Sequence, residues 1–153
     1  TELPAEIGNL TNLAELQLSD NKLTELPAEI GNLTNLAELQ LYYNRLAKIP
    51  VEIGNLKNLT KLYLTKNQLT ELPAEIGNLE KLTLLFLGGN KLTKIPEEVG
   101  NLSNLTEIDL EYNNLTHFPM EISNLMVKNI KGIRWSTQKN GWDGWVELDE
   151  WDE

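Results

Sequence analysis

The stretch Leu13-Ala14-Glu15-Leu16-Gln17-Leu18-Ser19-Asp20-Asn21-Lys22-Leu23-Thr24-Glu25-Leu26-Pro27-Ala28-Glu29-Ile30-Gly31-Asn32-Leu33-Thr34-Asn35 decides the fold, because it returns. Moved along by 23 residues, Leu13, Leu16, Leu18, Asn21, Leu23, Leu26, Pro27, Ile30 and Leu33 become Leu36, Leu39, Leu41, Asn44, Leu46, Ile49, Pro50, Ile53 and Leu56. The set starts again at Leu59, at Leu82 and at Leu105, where Ile108, Phe118 and Ile122 are the apolar replacements. A fixed period of this size marks a solenoid in which each turn contacts only its neighbours. What repeats is scaffold, so function has to be sought in what varies between turns.

Inside one unit, Leu13 to Leu18 alternates at period two and reads as a short strand with Leu16 and Leu18 turned inward. The asparagine that follows recurs as Asn21, Asn44, Asn67, Asn90 and Asn113. A polar residue held in step with buried leucines has to be satisfied, and its amide both donates and accepts, so the column reads as an internal hydrogen-bonded ladder. Pro27 then opens a helical turn, Glu29 sits against its positive end, and Gly31-Asn32 is expected to stop it. The resulting column Glu6, Glu29, Glu52, Glu75, Glu98 and Glu121 reads as a solvated convex face rather than a cation site. Beside it, Glu25, Lys48, Glu71, Lys94 and His117 form a surface charge column, which gives the only histidine no catalytic or metal role.

The pattern Leu-x-x-Leu-x-Leu-x-x-Asn-x-Leu resembles the leucine-rich-repeat signature. The longer run Leu-Pro-Ala-Glu-Ile-Gly-Asn-Leu-Thr-Asn-Leu is similar to the 23-residue subclass of bacterial leucine-rich-repeat proteins, notably of spirochaetes, and of cytosolic Ras-pathway scaffolds. The resemblance covers residues 1–125. It implies an α/β solenoid: a right-handed coil with a concave parallel β-sheet and short helical or 3-10 turns on the convex side. It also implies a protein-binding role, most often through the concave face. Extracellular eukaryotic members usually close their ends with disulfides, and this chain has no cysteine, which leans towards a bacterial or cytosolic origin.

The 153 residues suffice for one domain with a continuous core. A net charge of −10 speaks against nucleic acid or an anionic membrane as partner, because both demand a basic face. No apolar run reaches the roughly 18 residues of a spanning helix, and no signal peptide is visible. The opening Thr1-Glu2-Leu3-Pro4 matches Thr24-Glu25-Leu26-Pro27 from mid-repeat, so the expectation is a piece of a longer chain whose targeting signal has been cut away. On that reading the half repeat 1–12 leaves the first full turn thinly covered, and self-association through that end is expected. Asn-x-Ser/Thr triplets at Asn9, Asn32, Asn58, Asn101, Asn104 and Asn114 arise because the repeat spells Asn-Leu-Thr, and they read as accidental.

Stacking sets the exposed strand positions in columns. The first is Glu15, Glu38, Lys61, Leu84, Glu107; the second Gln17, Gln40, Tyr63, Phe86, Asp109. The third is Ser19, Tyr42, Thr65, Gly88, Glu111, and the fourth Asp20, Tyr43, Lys66, Gly89, Tyr112. No core requirement explains large apolar groups there. The candidate partner-binding residues are therefore Tyr42, Tyr43, Lys61, Tyr63, Lys66, Leu84, Phe86, Asp109, Glu111 and Tyr112, an aromatic cluster with a polar surround. The bland alternative is that aromatics pair across strands for stability alone. Gly88-Gly89 is expected either to leave a dip for a partner group or to loosen the turn.

After Leu125 the register fails, with Lys128 and Lys131 where leucines are due. Residues 126–135 are expected to form a last edge strand, Asn140-Gly141 a hairpin turn, and Trp142 to Leu148 an antiparallel return. Residues 126–153, which hold all four tryptophans, thus read as a cap over the terminal core or, alternatively, as an acidic-aromatic docking segment. The sequence presents no nucleophile–base pair, phosphate loop or metal-ligand cluster, so no catalysis and no cofactor are expected. The function expected is a non-catalytic protein-interaction module. The alternatives are a bacterial surface adhesin or receptor part binding host protein or glycan, and the substrate-selecting region of a larger signalling enzyme. Localisation is open between cytoplasm and bacterial surface.

Overall fold

The computed structural model describes residues 2–116, 120–126, 130, 132–137 and 144–147. Its strands are β1 (Glu15–Gln17), β2 (Glu38–Gln40), β3 (Lys61–Tyr63), β4 (Leu84–Phe86), β5 (Glu107–Asn113), β6 (Gly132–Thr137) and β7 (Gly144–Glu147). They form one sheet in chain order, parallel from β1 to β6, with β7 antiparallel to β6. From β1 to β5 every pairing joins residues one repeat apart, as in Leu16↔Leu39↔Leu62↔Leu85↔Ile108. The opposite wall consists of 3-10 turns at Ala5–Asn9, Ala28–Asn32, Val51–Asn55, Ala74–Asn78 and Glu97–Asn101. In the last repeat a short helix, α1 (Met120–Met126), takes their place.

Between sheet and turns lies a single column of apolar side chains. Leu39, Leu41, Leu46, Ile53, Leu56 and their counterparts in later turns are fully buried. Leu13 and Leu18, in the first full turn, are only partly covered. β1 to β4 are three residues long, and the asparagine column takes up the polar groups of the bend that follows each, whereas β5 runs on through its own asparagine, Asn113. Asn67 accepts from Leu46 N (3.0 Å) and donates to Leu41 O (2.9 Å) in the preceding turn and to Leu64 O (3.1 Å) in its own. Asn44, Asn90 and Asn113 repeat the arrangement. Two further ladders were not read from the sequence. Thr60, Thr83 and Thr106 donate their hydroxyls to the carbonyls of Ala37, Thr60 and Thr83. Asn35, Asn58 and Asn104 donate to Thr11 O, Thr34 O and Glu80 O, which gives two of the Asn-x-Thr triplets a structural task.

The repeated glycine differs from its expected role. Each 3-10 turn runs on through its asparagine, and among the described glycines only Gly89 has a positive φ, so Gly31 and its equivalents are not left-handed caps. Close approach explains them: a Cβ on Gly31 would lie 2.6 Å from Glu52 O, and one on Gly54 2.7 Å from Glu75 O. The prolines stand just before the 3-10 turns, as N-caps in extended conformation. The glutamate column carries no hydrogen bond among the described side chains, and the neighbouring charge column forms one ion pair there, Lys48–Glu71 at 3.8 Å. The side chain of Glu121 and all of His117 lie outside the described residues.

Beyond β5 the register lengthens, Ile108 pairing with Ile133. The strand expected over 126–135 lies instead at Gly132–Thr137, because Met126 still ends α1, and β7 covers its outer edge. Ile122, Leu125, Ile130 and Ile133 are buried, and the partly buried Trp135 packs against the core. Asn140-Gly141, Trp142 and Trp151 lie outside the described residues, as does the side chain of Trp145.

Removing an interior ladder amide strands one buried N–H, that of Leu46 in the case of Asn67, at about 1–3 kcal/mol, and takes one of two donors from Leu41 O and from Leu64 O, which keep Asn44 and Asn90. Asn67→Ala should therefore cost about 2–4 kcal/mol in urea unfolding, whereas Asn58→Ala, at a partly solvated rung whose two bonds, to Thr34 O and from Lys81 Nζ, are both exposed, should cost about 1 kcal/mol or less.

Candidate functional site

The concave face is built from the outward positions of β1 to β5 and the bends that follow them. Pairings Lys61↔Leu84, Tyr63↔Phe86, Leu84↔Glu107 and Phe86↔Asp109 bring the second half of the candidate set side by side. The Tyr63 and Phe86 rings meet edge to face, centroids 5.3 Å apart at 72°. Tyr42 and Tyr43 meet similarly at 6.0 Å and 81°. Through these contacts Tyr42, Tyr63, Leu84 and Phe86 are half-buried, while Tyr43 (56%) and Tyr112 (55%) stand out into solvent.

Tyr43 and Tyr112 project because of their backbone. Asp20, Tyr43, Lys66, Gly89 and Tyr112, each just before the asparagine of its repeat, have φ of 60°, 56°, 58°, 69° and 54°; the first of those asparagines, Asn21, is exposed and its side chain donates only to Ser19 O, so it stands outside the buried ladder expected of it. This left-handed conformation costs an L-residue about 1–2 kcal/mol, and large side chains there are exceptional. Sequence reasoning missed this column of strain; the one signal for it was a glycine at Gly89, in register with Tyr43 and Tyr112.

The dip expected at Gly88-Gly89 is filled. The Lys66 side chain crosses Gly89, where a Cβ would stand 2.8 Å from its Cδ, and sets its ammonium 5.5 Å from the centre of the Tyr112 ring. The Asp109 carboxylate covers Gly88, with Oδ2 2.8 Å from where a Cβ would be. The space the glycines leave is thus filled by the neighbouring turns. Lys66 lies there in cation–π contact, a geometry worth about 0.5–1 kcal/mol at exposed sites.

Two carboxylates on this face are perturbed in opposite directions. Glu38 accepts from Gln40 Nε2 (2.6 Å) and from Lys61 Nζ (3.1 Å), which hold its carboxyl below the usual range, and Glu38 in turn raises Lys61. Asp109 is pushed up by burial, against the pull of the Glu111 N–H at 3.0 Å and of the Arg134 charge. Arg134, paired in register with Asp109 on β6, was not among the expected residues, since the broken repeat hid its alignment.

Elsewhere, two open clefts of about 530 and 400 Å³ lie one repeat apart on the flank. Both are lined by the same repeat positions, such as Leu72 and Pro73 in one and Ile95 and Pro96 in the other, so they belong to the scaffold. Among the described residues no group of three or more His, Cys, Asp or Glu is placed to hold a metal, and no helix is long and apolar enough to cross a membrane.

The family model for the leucine-rich repeat region matches residues 1–62 and 29–141. The chain belongs to the leucine-rich-repeat family. A solved leucine-rich-repeat protein of Leptospira interrogans, LIC12759, is 43% identical with a TM-score of 0.80, over 89% of this chain and 36% of that one. The functional domain of InlJ from Listeria monocytogenes, which includes a cysteine ladder, is 30% identical with a TM-score of 0.70, over 84% of this chain and 26% of its own. The PEPR1–AtPEP1 crystal structure gives 30%, a TM-score of 0.74, and coverage of 88% and 20%. This leucine-rich-repeat chain therefore spans about a third or less of each of these three solved chains. No curated protein matches it.

Gly89→Ala should destabilise the protein by about 1–2 kcal/mol in urea unfolding and shift the Tyr112 ring resonances as Lys66 is displaced. Because folding raises its pKa, Asp109 contributes stability that is fully present below the ordinary aspartate pKa and is lost as pH rises through the raised value. The unfolding free energy of wild type minus that of Asp109→Asn should accordingly increase as pH falls through the carboxylate range.

Proposed function

We propose that this leucine-rich-repeat chain is a non-catalytic interaction module that binds a protein partner through its concave face. Tyr42, Tyr43, Tyr63, Leu84, Phe86 and Tyr112 supply the anchors; Lys61, Lys66, Asp109 and Glu111 form the polar surround. The observation that carries this reading is the exposure of Tyr43 and Tyr112 on the same face as the Tyr63–Phe86 pair, which is set edge to face on the outer side of a sheet whose inner side holds the leucine core. Cross-strand pairing alone would explain that pair. It does not explain Tyr43 and Tyr112, which hold large apolar surface in solvent at backbone positions where a smaller residue would be less strained.

The family resemblance supports an interaction role and the concave face as its usual place. Both alternatives, a bacterial surface adhesin or receptor part and the substrate-selecting region of a signalling enzyme, would use the same surface. Residues 126–153 we read as a cap on the terminal core rather than a docking segment; buried Ile130 and Ile133 and the partly buried Trp135 support this.

Buried interface aromatics commonly contribute 2 kcal/mol or more each. The double variant Tyr63→Ala/Phe86→Ala should therefore lose a proteinaceous partner captured by cross-linking from cell extract, with affinity down by on the order of a hundredfold or more. Its unfolding midpoint should change little, since neither ring belongs to the core. Undiminished capture by the folded double variant would refute the concave-face reading.

A further inference from the structure

We infer that the occupant of this face is an extended, cationic segment of a partner protein, which lays an aromatic or large aliphatic side chain on Tyr63, Leu84 and Phe86 and, two residues along, a lysine or arginine beside Glu107. The inference rests on the concave-face reading and gives its partner a chemistry.

Charge bookkeeping along the columns singles out Glu107. In its column, Glu38 is already engaged by Lys61 at 3.1 Å. Glu107 is exposed, with Leu84 on one side and Gly132 on the other, and its carboxylate makes no hydrogen bond or ion pair with the described residues. Lys61 is occupied by Glu38 and Lys66 lies over Tyr112. On β5 the patch of Tyr63, Leu84 and Phe86 is thus bordered by Asp109, half-buried and drawn on by Arg134, and by Glu107, a solvated carboxylate between an apolar and a bare backbone neighbour, in a chain of net charge −10. Such a surface steers and favours a positively charged partner.

The spacing follows from the sheet. Neighbouring strands lie about 4.8 Å apart and alternate residues about 6.6 Å along a strand; Glu107 is in register with Leu84, two residues before the position opposite Phe86, so it stands diagonally roughly 7–8 Å from the centre of the Tyr63, Leu84 and Phe86 patch. A segment running across the strands in extended form advances about 3.3 Å per residue, with alternate side chains on the same side. Side chains at i and i+2 are then both turned to the sheet and separated by about the required distance.

A displayed library of random linear peptides, panned on the whole chain, tests this. Enriched sequences should carry an aromatic or large aliphatic residue followed at i+2 by lysine or arginine, and their binding should weaken as salt is raised. Glu107→Gln should weaken a selected peptide about two- to fivefold, the range of an exposed ion pair, and Glu107→Lys on the order of tenfold. Replacing the peptide's basic residue with glutamate should restore binding to Glu107→Lys but not to wild type. Peptides lost on Tyr63→Ala/Phe86→Ala yet lacking the basic residue, or indifferent to both Glu107 variants, would overturn the cationic partner and leave the concave-face reading standing. A different spacing of apolar and basic residues would overturn the extended geometry. Enrichment that ignores all of these variants, or no enrichment, would count against both readings.

Discussion

The buried asparagine column is the interaction on which the rest of the structure depends. A strand of three residues followed at once by a bend leaves backbone N–H and C=O groups facing a core of leucines, where they would be costly unpaired. One amide side chain meets this demand in two turns together: Asn67 accepts from Leu46 and donates to Leu41 and Leu64. Being neutral and fully engaged, it is buried without the penalty of a charge. The same bend forces the preceding residue into the left-handed region, in every turn from Asp20 to Tyr112. Scaffold and candidate surface are therefore coupled, since the ladder at the end of each strand also decides which side chains stand above the concave face.

That coupling separates what each turn contributes. The leucine, asparagine, threonine and glycine columns are repeated because each turn must present the same shape to the next. In the glycine column the requirement is absence, since the next glutamate backbone lies where a Cβ would be. At the left-handed column no such shape is imposed outward, and residue types diverge. Gly89 relaxes the strain, whereas Tyr43, Lys66 and Tyr112 accept it. Lys66 then uses the room above Gly89 to reach Tyr112, linking three turns with one side chain.

Much of this was legible before any coordinates. The period assigned Leu39, Leu62 and Leu85 to the core and Asn44, Asn67 and Asn90 to an internal ladder, and the observed register agrees residue by residue. It also placed Tyr63 beside Phe86 and Leu84 beside Glu107. The reading went astray where the period was silent. Gly31 looked like a helix stop but is a point of close approach, and Gly88-Gly89 looked like a dip but is covered by Asp109 and Lys66. The lengthened step from β5 to β6 kept Gly132 and Arg134 from being aligned with Glu107 and Asp109 at all.

The sequence by itself determined which residues share a column, because stacking identical turns maps each position onto the one 23 residues later. It could do so without any knowledge of distances, since a strict repeat makes neighbourhood a matter of counting. The tertiary structure alone decided which side chains reach across those columns. That depends on the sign of φ at Tyr43, Lys66 and Tyr112, on how far a lysine stem extends over a bare glycine, and on the burial that raises the pKa of Asp109. None of these is periodic, and each is set by how closely one turn lies on the next.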